Sequence, residues 1–163
     1  MLKLMYITNS PEVASIADGA GVDRIFIDLE QYGKEKRQKN WDSVKSKHSI
    51  SDIPKVKSAV KNAQIFVRTD PIFDGFSDEL EGVLACEPDV VMLPYFKTVR
   101  EVETFIKAVD GRATTSLLLE TKEAAEQIDD IISVGGIDEI HIGLNDLSHS
   151  CLLYTSPSPR DRT

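Results

Sequence analysis

The stretch AGVDRIFIDLE, residues 20–30, sets the reading of the whole chain. Gly21 closes a helical pattern, Ile25-Phe26-Ile27 is an unbroken apolar run, and Asp28 and Glu30 end it with charge. A strand with one wet face alternates apolar and polar residues. A strand covered on both faces is apolar throughout, as in parallel sheets flanked by helices. The same grammar recurs in LKLMYIT (2–8), QIFVRTD (64–70), DVVMLPYF (89–96), ATTSLLLET (113–121) and IDEIHIGL (137–144).

Helical patterns fill the gaps between these runs. SPEVASIADGAG (10–21) has Ser10 as N-cap and Pro11 at the first helical position. SDIPKVKSAVKN (51–62) carries Pro54 in its first turn, and SDELEGVLACE (77–87), TVREVETFIKAVDG (98–111) and KEAAEQIDDIISVGG (122–136) follow. Six βα units in succession leave an open doubly wound sheet or a (β/α)₈ barrel. The only G-x-G, at residues 19–21, follows a helix and precedes a strand, the wrong side for a dinucleotide fingerprint. No phosphate-binding G-x-x-x-x-G-K-[ST] occurs. The expectation is an α/β fold, an incomplete (β/α)₈ TIM barrel with about six units, over residues 1–150.

Bulk properties narrow the function. The 163 residues suit one domain, and the formal net charge is −8. Residues 1–150 hold 17 Lys+Arg against 26 Asp+Glu, which argues against a nucleic-acid or anionic-membrane partner but not against a small anionic substrate. Of two cysteines only Cys86 lies in this body, so no disulfide framework forms there and a reducing cytoplasm is expected. No apolar run approaches the ~18 residues of a membrane span, and the first residues are too weakly apolar for a signal peptide.

Polar residues gather where each strand ends: Asp28 and Glu30, Arg68 and Asp70, Tyr95, Glu120, then Gly143-Leu144-Asn145-Asp146. In a parallel barrel those ends share the rim that carries the active site. Each residue has a plain alternative. Asp28 and Glu30 could be solvated acids, Arg68 an ordinary ion-pair partner, and Glu120 and Asp146 helix-end acids. His48 and His141 read as surface or structural, with His141 facing away from Ile140 and Ile142. As a set they suggest more. Glu120 and Asp146 could hold Mg²⁺ or Mn²⁺, Arg68 could clamp a carboxylate or stabilise an enolate, and backbone N–H groups of the 143–146 turn could receive an anion.

AGVDRIFIDLE, VRTD, VMLPYF, LLLET and GIDEIHIGLNDLS resemble, in order and spacing, the HpcH/HpaI aldolase and citrate lyase β-chain family, a barrel family of the pyruvate/phosphoenolpyruvate-binding class. The similarity covers essentially all of residues 1–150. It implies that Glu120 and Asp146 are the ligands of a divalent metal, Mg²⁺ or Mn²⁺. It also implies that Arg68 is the substrate and enolate arginine, and that Gly143, Leu144 and Asn145 bind the substrate carboxylate. Asp28 and Glu30 match the family's acidic strand-2 motif and join Arg68 as catalytic candidates. Two positions depart from the pattern. Aldolase members carry His after the strand-2 acids where this chain has Gln31, and many have Gln where it has Leu118. Gln31 cannot serve as a general base near neutral pH. His48 could substitute, but the sequence alone does not place it.

The expected activity is a divalent-metal-dependent carbon–carbon lyase working through an enolate on a 2-oxo acid, hydroxy acid or acyl-CoA ester. A malyl- or citramalyl-type thioester hydrolase or ligase is a related reading. A catalytically silent keto-acid-binding or regulatory protein is the alternative from another class. The complete protein is expected to be a homo-oligomer. CLLYTSPSPRD, which opens residues 151–163, resembles a translated sequencing adapter more than a natural Ser/Pro-rich tail. Residues 151–163 are therefore expected to be non-native, and the fragment inactive and prone to aggregate without its last two barrel units.

Overall fold

The computed structural model describes residues 2–31 and 47–151. Six strands form one parallel sheet: β1 (Met5–Ile7), β2 (Arg24–Asp28), β3 (Gln64–Arg68), β4 (Val90–Leu93), β5 (Thr114–Leu119) and β6 (Glu139–Ile142). Each strand pairs with its predecessor in sequence. A doubly wound sheet reverses its strand order at a switch point, whereas strictly sequential order is that of a barrel. The fold is an incomplete TIM-type barrel, with six strands of the usual eight.

Among the described residues seven helices accompany the sheet: α1 (Pro11–Gly19), α2 (Asp52–Ala59), α3 (Phe76–Leu84), α4 (Val99–Val109), α5 (Lys122–Glu126), α6 (Ile128–Ile132) and α7 (Leu144–Ser150). Their starts follow the sequence signals. Ser10 Oγ accepts the Val13 N–H at 3.3 Å ahead of Pro11. Thr98 and Glu101 form a reciprocal capping box on α4. The single helix expected over 122–136 is instead broken at Gln127 (φ −112°, ψ 18°), whose side-chain amide donates to the carbonyls of Lys97 and Glu123. The sixth strand stops at Ile142, and the expected turn at 143–146 is the entry into α7. The expected non-native tail, residues 151–163, lies outside the described residues except for Cys151.

Alternation along the strands builds two cores. Ile25, Ile27, Ile65, Val67, Val91, Leu93 and Leu117 face the helices, where Val56, Leu80, Val83, Val102 and Phe105 cover them. Phe26, Phe66, Val90 and Met92 line the concave side with Leu118. Phe26 and Phe66 meet there edge to face at 5.1 Å. Apolar side chains stay exposed on both edge strands, with Met5, Tyr6 and Ile7 on β1 and Ile140 and Ile142 on β6.

The sheet is curled, and one partly buried contact shows it. Arg24 on β2 donates from Nη1 to Glu139 Oε2 on β6 at 2.7 Å and from Nε to Gln64 Oε1 on β3 at 3.0 Å. In a flat sheet β2 and β6 would stand roughly 19 Å apart at about 4.8 Å per strand. The ring of His141 on β6 also packs against Phe66 on β3, with centroids 5.6 Å apart. His141 thus faces the concave side, opposite to Ile140 and Ile142, in a packing role.

Arg24 holds the Glu139 carboxyl at about 2, through hydrogen bonds that outweigh partial burial. A depressed carboxyl stabilises the fold above its unfolded value, about 4.3, and loses that contribution as pH falls through its folded value. We expect Glu139→Gln to cost about 1–3 kcal/mol at neutral pH. Urea melts between pH 4.5 and 2 should show a flatter loss of stability in the variant than in the wild type.

Candidate functional site

The ends of β2 and β3 set the first half of the site. Asp28 and Arg68 are paired in register, so their side chains emerge side by side on the concave face. Arg68 Nε and Nη2 donate to the two Asp28 oxygens at 2.9 and 2.8 Å, a bidentate pair. Nη1 lies 3.3 Å from Glu30 Oε2, and the guanidinium sits 5.5 Å from the centre of the Phe26 ring. Burial works against the Arg68 charge, but Asp28, Glu30 and Glu120 outweigh it and raise its pKa above the ordinary value. A guanidinium has five N–H donors, so both terminal nitrogens retain N–H groups for a ligand after these contacts.

The ends of β4, β5 and β6 set the second half. Glu120 is 4% exposed, and its Oε1 accepts the Tyr95 N–H at 3.0 Å. Tyr95 adopts φ +49°, a left-handed conformation that costs a non-glycine residue of order 1 kcal/mol and aims its N–H at the carboxylate. Thr121, not Glu120, caps α5: its Oγ1 accepts the Ala124 N–H at 3.2 Å and donates to the Phe96 carbonyl at 2.7 Å. Glu120 is therefore not consumed by its helix. Burial, then the charges of Glu30 and Asp146, push its carboxyl up to about 7 against the opposing pull of Arg68. Glu30, Arg68 and Asp146 thus all act on Glu120 across the curl.

Gly143 lies directly over Glu120. A Cβ on Gly143 would stand 2.8 Å from Glu120 Cβ and 2.9 Å from its Oε2. Its backbone (φ −82°, ψ 81°) suits any residue, so close approach is what calls for glycine here. Leu144, Asn145 and Asp146 form the first turn of α7, whose N–H groups have no intrahelical acceptor.

Gln31 is exposed, and its backbone N–H donates to Asp70 Oδ1 at 2.6 Å. The Asp70 N–H in turn donates to Glu79 Oε1 at 3.1 Å. The other Glu79 oxygen is buried with no hydrogen-bond partner among the described residues, and burial raises its carboxyl to about 7. His48 is 3% exposed, and its Nδ1 accepts the Asp28 N–H at 2.9 Å. Sequence reasoning missed Glu79 and the Tyr95 amide, and it left His48 unplaced. Only the non-glycine turn after Pro94 carried a local signal. A separate cavity of about 400 Å³ opens at the opposite end of the strands, lined by Lys3, Asp18, Asp23, Asn62 and Gln64. Its acids are occupied: Asp18 accepts the N–H groups of Lys61, Asn62 and Ala63, and Asp23 that of Leu4.

Among the described residues no three His, Cys, Asp or Glu side chains converge as a ligand set. Glu120 and Asp146 nevertheless fit a hard divalent cation. Their carboxylates repel each other, and the bare Gly143 backbone leaves space over Glu120 Oε2 that a side chain would fill. Mg²⁺ commonly takes one or two carboxylates and completes its shell with water or substrate oxygens. Gly143→Ala should cost about 1–3 kcal/mol through overpacking against Glu120. Thermal melts check the stability loss.

A family model for HpcH/HpaI aldolase/citrate lyase matches residues 3–161. Solved structures share the fold at low identity. An HpcH/HpaI aldolase/citrate lyase family protein from Burkholderia cenocepacia J2315 superposes with a TM-score of 0.75 at 13% identity, over 98% of this chain and 70% of that one. The HpcH/HpaI aldolase from Desulfitobacterium hafniense DCB-2 gives 0.70 at 16%, over 98% and 69%. The citrate synthase SbnG gives 0.71 at 17%, over 98% and 67%. No curated protein matches the chain significantly. With six sequential parallel strands, acids and an arginine on one rim, and a family match over nearly its whole length, the chain belongs to the HpcH/HpaI aldolase/citrate lyase family, whose chemistry is of the carbon–carbon lyase type.

Proposed function

We propose that the protein is a divalent-metal-dependent carbon–carbon lyase acting on a 2-oxo acid, a hydroxy acid or an acyl-CoA ester through an enolate. The observation that carries this reading is the buried Glu120, its Oε1 held by the Tyr95 N–H and its charge acted on by Arg68 from one side of the curl and Asp146 from the other. Glu120 and Asp146 would hold the cation, Mg²⁺ or Mn²⁺. Such a cation supplies Lewis-acid polarisation of a carbonyl, which stabilises the enolate charge. Arg68, fixed on one side by Asp28 and Glu30, presents its remaining N–H groups to the developing oxyanion. The open N–H groups of Leu144 and Asn145, together with Gly143 over Glu120, would receive the substrate carboxylate. The apolar floor of Phe26, Met92 and Leu118 keeps water from beneath these groups and strengthens their electrostatics.

A second reading is a keto-acid-binding or regulatory protein without turnover. The position after the strand-2 acids supports it: Gln31 is exposed and its amide side chain cannot carry a proton near neutral pH. Either reading suits a reducing cytoplasm, as the free thiol of Cys86 suggests, and a homo-oligomeric assembly.

Exchange of pyruvate methyl protons with deuterated solvent by the complete protein, followed by NMR in the presence of Mn²⁺ or Mg²⁺, separates the two. A lyase should catalyse exchange, and Arg68→Met and Asp146→Asn should each lower it at least about tenfold. Slow exchange with intact pyruvate binding would establish the binding reading. Gln31→His should then raise exchange towards the ~10²-fold or more that a positioned acid–base group supplies. Absence of binding of pyruvate, a hydroxy acid and an acyl-CoA ester alike, by calorimetry, would overturn both.

A further inference from the structure

We propose that His48 is a positioning residue, which rests on the role of Arg68 above. By accepting the Asp28 N–H on Nδ1, it fixes the strand end whose carboxylate holds Arg68. Backbone groups of β2 alternate between neighbours. The Phe26 carbonyl accepts the Thr8 N–H on the β1 side at 3.2 Å, and the Leu29 N–H donates to the Arg68 carbonyl on the β3 side at 2.9 Å. The next β2 amide on the β1 side is that of Asp28. The pairing of β1 with β2 ends at Ile7 and Phe26, two residues before Asp28, and the chain then turns at Ser10 into α1. The imidazole of His48 supplies the acceptor for the Asp28 N–H at 2.9 Å and is 3% exposed.

The residue is itself pinned. Asn9, in the turn after β1, donates from Nδ2 to the Lys47 carbonyl at 3.3 Å and to Asp52 Oδ2 at 3.2 Å. The Ser49 N–H donates to the same Asp52 oxygen at 2.9 Å. An Nδ1 that accepts carries no proton, so His48 stands as the Nε2–H tautomer. The constraint passes along a short path. The fixed Asp28 backbone directs both carboxylate oxygens to Arg68, and the Glu30 N–H also donates to Asp28 Oδ1 at 3.2 Å. His48 touches no atom assigned to substrate, so its part in the chemistry is indirect. A buried histidine that merely fills space would serve as well with any isosteric side chain, whereas the positioning role needs an acceptor at the Nδ1 place.

Two variants make this distinction. His48→Asn puts an amide oxygen close to the Nδ1 place, and His48→Leu removes the acceptor while keeping bulk. In the Mn²⁺-loaded protein, pyruvate affinity by calorimetry should fall about tenfold in His48→Leu and return close to wild type in His48→Asn. Hydrogen exchange of the Asp28 amide should accelerate by a similar factor in the first variant and not in the second. Should His48→Leu fail to fold, His48→Gln, whose oxygen reaches the Nε2 place instead, takes over with the same expected loss. Equal pyruvate affinity in wild type and His48→Leu, or a loss that asparagine does not restore, would overturn the proposal. A wild type that binds neither pyruvate nor a hydroxy acid nor an acyl-CoA ester defeats the functional reading instead. The positioning role is then decided by Asp28 amide exchange, and unchanged exchange in His48→Leu defeats it.

Discussion

The partly buried contact between Arg24 and Glu139 joins residues 115 apart in sequence and holds β2 against β6 across the concave face. Taking these charges out of water costs several kcal/mol per ion, recovered only where geometry is good and other hydrogen bonds are made. Here both terminal nitrogens of Arg24 meet the carboxylate, Nε meets Gln64, and the guanidinium lies 5.5 Å from the Phe66 ring centre. The rim depends on this curvature. Asp28, Glu30 and Arg68 come from β2 and β3, whereas Glu120 and Asp146 follow β5 and β6. In a flat sheet they would be strung along one edge, too far apart to share a small ligand. Curled, Glu30 and Asp146 both act on Glu120.

Acids stand at both ends of the strands, and their partners distinguish the two ends. Asp23, Asp89 and Asp138 each precede an even-numbered strand. Each accepts a backbone N–H from the preceding odd strand: Leu4 at 2.8 Å, Ile65 at 2.7 Å and Thr115 at 2.8 Å. These carboxylates clamp register and are spent on the backbone. At the opposite ends Asp28 is spent on Arg68, while Glu120 accepts the Tyr95 N–H and stays buried beside other acids. Such an arrangement is costly for a fold and useful for binding, the usual signature of a site rather than of scaffolding.

The strands were legible because burial on both faces leaves an unbroken apolar run, and the rim was legible because charge follows such runs abruptly. Ser10-Pro11 and Thr98 through Glu101 marked helix starts through local chemistry alone. What the sequence hid depends on distant partners. The break at Gln127 needs the Lys97 carbonyl, the placement of His48 needs the end of β2, and the pairing of Arg24 with Glu139 needs the curl itself. No local pattern encodes these contacts. Thr121 as cap was local but ambiguous, because Glu120 beside it could have filled the same role until the backbone geometry separated them.

The remaining question is what four rim carboxylates, Asp28, Glu30, Glu120 and Asp146, do around one guanidinium on an apolar floor. Low local dielectric magnifies repulsion as much as attraction. The site relieves it in part by letting Glu120 take a proton near neutral pH. On the proposed reading, a cation at the same carboxylate would displace that proton, so its affinity would be coupled to pH and its binding would release a proton. Arg68 does not share this competition, since its pKa is raised and it keeps its charge throughout. The two halves of the rim therefore have different tasks. The β2–β3 half is a fixed positive fork in a carboxylate clamp, and on the proposed reading the β5–β6 half would exchange proton for cation and so set whether an anionic substrate meets one positive centre or two.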